Sequence, residues 1–102
     1  SQGAILSYAI AVTYPEKLNK VVALSGYFNP DIMVPKNDVS AYEHLEIFGS
    51  HGTVDQVIPV EWARKSSDFL KTLNISFDYK EYPVGHGVAP QNFYDFKAFL
   101  EK

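Results

Sequence analysis

The sequence has no cysteine, which excludes disulfides and thiolate chemistry. It has no basic excess either. Nine Lys and Arg stand against twelve Asp and Glu, a net charge of −3, and the cations are scattered, so no electrostatic footprint for nucleic acid is present. No apolar run approaches the length of a membrane span, and stable membrane insertion is not expected. The opening SQGAILSYAIAVTY is apolar but lacks a basic leader and reads poorly as a signal peptide. Cytoplasmic residence is the expectation. Internal repeats and low-complexity segments are also absent.

What is present is the mix of a soluble globular protein: 46% hydrophobic and 21% charged residues over 102 positions, room for one small domain. Seven Tyr and seven Phe supply core volume, although a chain this short buries a limited share of its surface. Residues 2–14 read as a helix, with Ala4, Ile5, Tyr8, Ala9 and Val12 at helical spacing. Ile10 and Ala11 extend the apolar surface around most of its circumference, which predicts burial on more than one side. Pro15 stops it. Lys20 to Ser25 (KVVALS) is a short apolar run fitting a strand covered on both faces. Residues 27–43, rich in Pro, Asn and Asp, read as a long loop with room for one helical turn.

Leu45 to Ser50 (LEIFGS) is a second strand. Residues 60–73 form an amphipathic helix with Trp62, Ala63, Ser66, Phe69, Leu70 and Leu73 on its apolar side, introduced by Pro59. Ile75 to Tyr82 reads as an edge strand, and a final helix spans 90–101 with Phe93, Phe96, Phe99 and Leu100 as its stripe. Strands alternating with helices predict an α/β fold: a three-stranded parallel sheet flanked by helices, joined by right-handed crossovers. The chain opens inside a helix with no strand before it, and the strand at Val21 to Leu24 would carry an unpaired apolar edge. A missing amino-terminal half, or a second copy forming a homodimer, is the expected partner.

Three positions carry the chemistry. Ser1, followed by Gln2 and Gly3 at the start of a helix, is the second half of a Gly-x-Ser-x-Gly turn, in which a serine sits between strand and helix. The structural alternative is a helix N-cap. Asp55, in His51-Gly52-Thr53-Val54-Asp55, lies just past the carboxyl end of a strand, where sites form in open parallel sheets. It suits orientation of a histidine, or alternatively an Asx turn or helix cap. His86 stands between Gly85 and Gly87, whose freedom would let the backbone take unusual dihedrals and expose the imidazole. An ordinary loop histidine is the alternative. The order Ser, Asp, His is that of the α/β-hydrolases, unlike the chymotrypsin-like or subtilisin-like order.

With these positions set, SQG-A, YPEKL, VVALSGY, HGTVDQVIPVEWAR and YKEYPVGHGV resemble successive landmarks of the carboxylesterase, lysophospholipase and acyl-protein-thioesterase family of α/β-hydrolases. The resemblance covers essentially the whole chain, 1–102, as the carboxyl-terminal half of such a domain, with the amino-terminal strands missing. It implies Ser1 as nucleophile, Asp55 as acid and His86 as base, with the backbone N–H of Gln2 as one oxyanion donor. His51 and Gly52 match a His-Gly pair ahead of the acid and read as structural. Thr53 departs from the acidic residue often found there. A second oxyanion donor belongs to an absent amino-terminal loop.

The implied activity is hydrolysis of carboxylic esters or thioesters, including lipid esters, without metal or cofactor. Tyr27, Phe28, Ile32 and Met33 are candidates for an apolar acyl site. An incomplete fragment is expected to be inactive alone. Two other readings stand beside this one: Ser1 as an N-terminal nucleophile with its own amino group as base, and a non-catalytic fragment that associates through its open strand edge.

Overall fold

The computed structural model describes residues 2–28 and 39–102. Three helices, α1 (Gln2–Thr13), α2 (Val60–Thr72) and α3 (Pro90–Glu101), surround three strands, β1 (Lys20–Leu24), β2 (Glu46–Gly52) and β3 (Ser76–Tyr82). The sheet is parallel, in the order β1-β2-β3, with Val21 opposite Ile47 and Ile47 opposite Phe77. All three strands therefore end at one rim.

Alternation along the strands divides the core into two layers. Val21, Ala23 and Ile47 face α1 and α2, where they meet Ala4, Tyr8, Ala11, Val12 and Leu70. The other face lies under α3: Phe48 packs on Phe99 with ring centroids 5.7 Å apart, Asn92 donates to the Ser50 hydroxyl at 2.9 Å, and the Tyr82 hydroxyl donates to Asp95 at 2.6 Å. Gly49 is required by a close approach: a Cβ there would lie 2.5 Å from the Tyr8 hydroxyl and 2.9 Å from the Phe77 ring. Tyr8 thereby packs directly on the sheet, and burial raises its phenol pKa well above the usual value.

The elements end for local reasons. Pro15 does stop α1, and it opens a 3₁₀ turn at Pro15–Lys17. That turn is clasped by His44, whose Nε2 lies 2.7 Å from the Pro15 carbonyl and 2.9 Å from that of Leu18. A second 3₁₀ turn at Val39–Tyr42 supplies the expected helical turn, and the Tyr42 hydroxyl donates to the Val12 carbonyl at 2.9 Å. Asn74, with φ 59°, takes the left-handed conformation that closes α2, a role asparagine fills at small cost. No helix among the described residues is long and apolar enough to cross a membrane.

Three expectations about faces need correction. α1 buries Ala4, Tyr8, Ala11 and Val12 on one side, while Leu6, Ile10 and Tyr14 are half exposed, so it is covered on one face rather than several. In α2, Trp62 and Phe69 flank the buried face, whose centre is Ala63, Ser66, Ser67 and Leu70. In α3 only Asn92 and Phe99 are buried; Phe93 and Leu100 stand half exposed. Each error has one cause: the apolar stripe is wider than the surface available to cover it. The outer edge of β1 likewise has no strand beside it among the described residues.

Ile47 is fully buried between the sheet and the α1–α2 layer. Replacing it with Ala is expected to lower the unfolding free energy by about 2–5 kcal/mol, through lost burial and a residual cavity. Urea denaturation of the two proteins measures it.

Candidate active site

The site grows from the carboxyl end of β2. Beyond Gly52 the chain turns at once, with the Asp55 N–H donating to the Gly52 carbonyl at 3.2 Å. The Asp55 side chain folds back into the turn it begins. Its Oδ1 accepts the N–H groups of Val57 at 2.8 Å and Ile58 at 2.9 Å. This is an Asx-type turn, so the structural reading of Asp55 holds. The second oxygen carries the other reading: Oδ2 accepts from Nδ1 of His86 at 2.8 Å. One carboxylate does both jobs, with a different oxygen for each.

His86 arrives on the turn after β3. Two backbone bonds stitch this turn to the acid loop: Thr53 N–H to the Tyr82 carbonyl at 2.8 Å, and Val54 N–H to the Val84 carbonyl at 3.2 Å. The glycine that matters is Gly52. A Cβ there would collide with the carbonyl oxygens of Val84 and Gly85, so only glycine admits the histidine loop. Gly85 and Gly87 have no positive φ, and a Cβ on either would meet nothing within 4 Å. The expected backbone role of those two glycines is therefore not found, and the constraint sits 34 residues earlier in the chain, at Gly52.

The geometry sets the protonation pattern. The carboxylate accepts only, so Nδ1 of His86 carries hydrogen and Nε2 is the ring atom free to take a proton. Asp55 is fully buried at its side chain and His86 is 27% exposed, so the carboxylate is sheltered and the imidazole is partly accessible. Burial pushes the Asp55 pKa up, but the Ile58 N–H, the His86 imidazole and the Val57 N–H outweigh it and hold the carboxyl below its ordinary value.

A second imidazole reaches the same carboxylate. His51, in β2 and fully buried, places Nε2 2.7 Å from the Ile58 carbonyl and 3.2 Å from Asp55 Oδ2. From the sequence alone this residue reads as structural. The available signal was its position four residues before the acid.

Gln2 is the first residue of α1 and is exposed. Its helix starts at the same rim, because Ala4 packs on Gly26, just past the end of β1, so tightly that a Cβ on Gly26 would collide with it. Ser25 before it holds φ 60°, a left-handed turn that sends the chain toward α2. There Tyr27 meets Trp62 edge-on at 5.1 Å, and Phe28 stacks on Phe69 at 4.7 Å while its N–H donates to the Ser66 hydroxyl at 2.6 Å. Tyr27 is half-buried at the rim, and Phe28 is part of the core. Ser1, Ile32 and Met33 lie outside the described residues.

The model of the Phospholipase/Carboxylesterase family matches residues 1–102. The chain belongs to that family. Acyl-protein thioesterase 1 of Saccharomyces cerevisiae is 34% identical over 107 aligned positions, covering all of this chain and 46% of that protein. The Mycosarcoma maydis acyl-protein thioesterase 1 is 31% identical, with 45% of its length covered. Among solved structures, the Arabidopsis thaliana carboxylesterase SOBER1 is 28% identical with TM-score 0.81, over 99% of this chain and 49% of that one. Acyl-protein thioesterase 2 of Zea mays, at 21% identity and TM-score 0.82 over 99% of this chain and 52% of that one, shares the fold. The chain thus spans about half the length of the relatives it matches.

Gly52→Ala is expected to drive the two loops apart and abolish the downfield imidazole N–H resonance that a histidine–carboxylate bond produces; proton NMR of both proteins checks this. Asp55 also imposes a pH dependence. Its folded pKa lies below the unfolded value of about 3.9, so its stabilising contribution is complete above that value and is lost as the pH falls through the lower, folded one. Denaturation midpoints between about pH 5 and pH 2 should fall more steeply for the natural sequence than for Asp55→Asn.

Proposed function

We propose that this chain supplies the nucleophile, acid and base of a serine hydrolase acting on carboxylic esters or thioesters. The observation that carries the reading is the 2.8 Å bond between Nδ1 of the partly exposed His86 and a buried Asp55, which leaves Nε2 as the ring nitrogen not used by the carboxylate. Nε2 takes the proton of the Ser1 hydroxyl as its oxygen attacks the carbonyl carbon. Asp55 holds the ring in the required tautomer and stabilises the imidazolium. The Gln2 N–H, at the first position of α1, has no intrahelical acceptor and serves the developing oxyanion. His86 then passes its proton to the departing alcohol or thiol, and water releases the acid from the acyl-enzyme.

The substrate's acyl part is apolar in this proposal. Tyr27, edge-on to the half-exposed Trp62, presents an aromatic wall at the rim, and Phe28 supports it from the core. Met33, outside the described residues, is proposed as a further apolar contact for the acyl chain. Family membership and the likeness to thioesterases and carboxylesterases support the reaction class. The edge of β1, which no strand among the described residues covers, and the half-exposed Leu6 and Ile10 of α1 support a partner on that side. We assign that place to the other half of the hydrolase fold, which also brings the second oxyanion donor.

The test uses the full-length natural polypeptide that carries this sequence. A fluorophosphonate is expected to label Ser1, and p-nitrophenyl acyl esters and acyl thioesters to be hydrolysed. His86→Ala should cost about 10⁴-fold or more in kcat. Turnover that survives both Ser1→Ala and His86→Ala sinks the assignment.

A further inference from the structure

We infer that His51 is a positioning residue for the reaction, holding the Asp55 carboxylate at the angle from which it meets His86. The inference rests on the hydrolase reading above and extends it to a residue outside the triad.

Asp55 accepts three hydrogen bonds, from two backbone N–H groups at Oδ1 and from His86 at Oδ2, and His51 Nε2 lies 3.2 Å from Oδ2. The pair at Oδ1 anchors one oxygen. A carboxylate anchored at one oxygen can still swing the other about its own axis. The 3.2 Å contact from His51 acts on that second oxygen. His51 cannot follow such a swing, because its side chain is fully buried and its Nε2 is bound more tightly, at 2.7 Å, to the Ile58 carbonyl. Ile58 closes the arrangement: its N–H holds Oδ1 and its carbonyl holds His51. A carbonyl only accepts, so His51 carries hydrogen on Nε2 and donates it to Ile58, with the positive end of that N–H dipole 3.2 Å from Oδ2. The unequal lengths matter. At 3.2 Å His51 leaves Oδ2 to His86, whose bond is 2.8 Å.

Among the described residues no other group is hydrogen-bonded to this ring. Glu81 lies opposite His51 in the strand register, but its carboxylate is taken by Arg64 at 2.8 and 2.9 Å and by the Tyr79 hydroxyl at 2.9 Å. Among the described residues Nδ1 of His51 has no hydrogen-bond partner. A buried polar ring with one unpartnered nitrogen is costly against an apolar side chain of similar volume. Its single bonded nitrogen is the one aimed at the acid loop.

Gln and Met form a matched pair for the test, since they have similar shape and only Gln brings a donor near the position of Nε2. The experiment uses the full-length natural polypeptide, with kcat and KM for a p-nitrophenyl ester, the His86 imidazole N–H resonance, and circular dichroism to confirm folding. His51→Met is expected to lower kcat about tenfold to a hundredfold with KM within about twofold, and to shift or broaden the resonance. His51→Gln should recover most of both. Asp55→Asn is the reference. If it leaves kcat unchanged, the hydrolase reading itself fails. If it abolishes turnover while folded His51→Met keeps the natural kcat and resonance, the role of His51 is overturned. Should His51→Met not fold, His51→Gln decides alone: natural kcat and resonance support the role, and loss of either in a folded protein refutes it.

Discussion

The carboxylate of Asp55 is the joint on which the rim of this fold depends. It is buried, charged and shared, and its contacts reach three pieces of chain. The Val57 and Ile58 amides come from its own loop, His51 from β2 and His86 from the turn after β3. A buried carboxylate is tolerable only when its lone pairs are satisfied. That requirement forces the three segments into one arrangement. The parallel sheet makes the demand geometrically possible, because strands running the same way deliver their following loops to the same edge. The order Ser, Asp, His along the chain thus becomes proximity of the last two in space.

The periodic parts of the fold were legible in the sequence. Apolar runs marked β1 and β2, and helical spacing marked α1, α2 and α3, with ends within one or two residues of those observed. Prolines at 15, 59 and 90 stand at element boundaries because a missing N–H is harmless there. Legibility failed at long-range close approaches. Gly52 was read as a neighbour of the acid, yet its reason for being glycine is the backbone at Val84 and Gly85. Gly49 is glycine because of Tyr8, more than forty positions away in chain order. Such constraints leave no local pattern. Faces failed for a related reason: periodicity reports which residues are apolar, whereas burial depends on how many neighbours are at hand. Leu6, Ile10, Phe93 and Leu100 are apolar and half exposed together.

At the site, the competing readings of Asp55 turned out to describe different oxygens of one group. Treating a turn-forming aspartate and a histidine-orienting aspartate as alternatives assumes that one side chain has one role. A carboxylate has two oxygens and about four acceptor positions, so both roles fit together. The combination also has a mechanical consequence. The bonds at Oδ1 tie the side chain to its own backbone, which leaves Oδ2 as the only oxygen for an incoming histidine and limits the directions from which that histidine can approach.

The same logic extends to the part of the rim formed by the end of β1. Ser25 holds a left-handed backbone although it is not glycine, and Gly26 after it has no room for a side chain against Ala4. Strain of this kind persists only where the surroundings over-determine it. Here they do: the Ser25 N–H is bound to the Ser50 carbonyl at 2.9 Å, Gly26 is wedged under α1, and Tyr27 and Phe28 are fastened to α2 by ring contacts and a hydrogen bond to Ser66. The turn thus couples the amino end of α1, where the oxyanion donor is proposed, to the amino end of α2, which follows the acid loop. Through β2 and the Asp55 loop that coupling reaches His86, so the elements that must agree on geometry are joined by short backbone segments together with a few buried side-chain contacts.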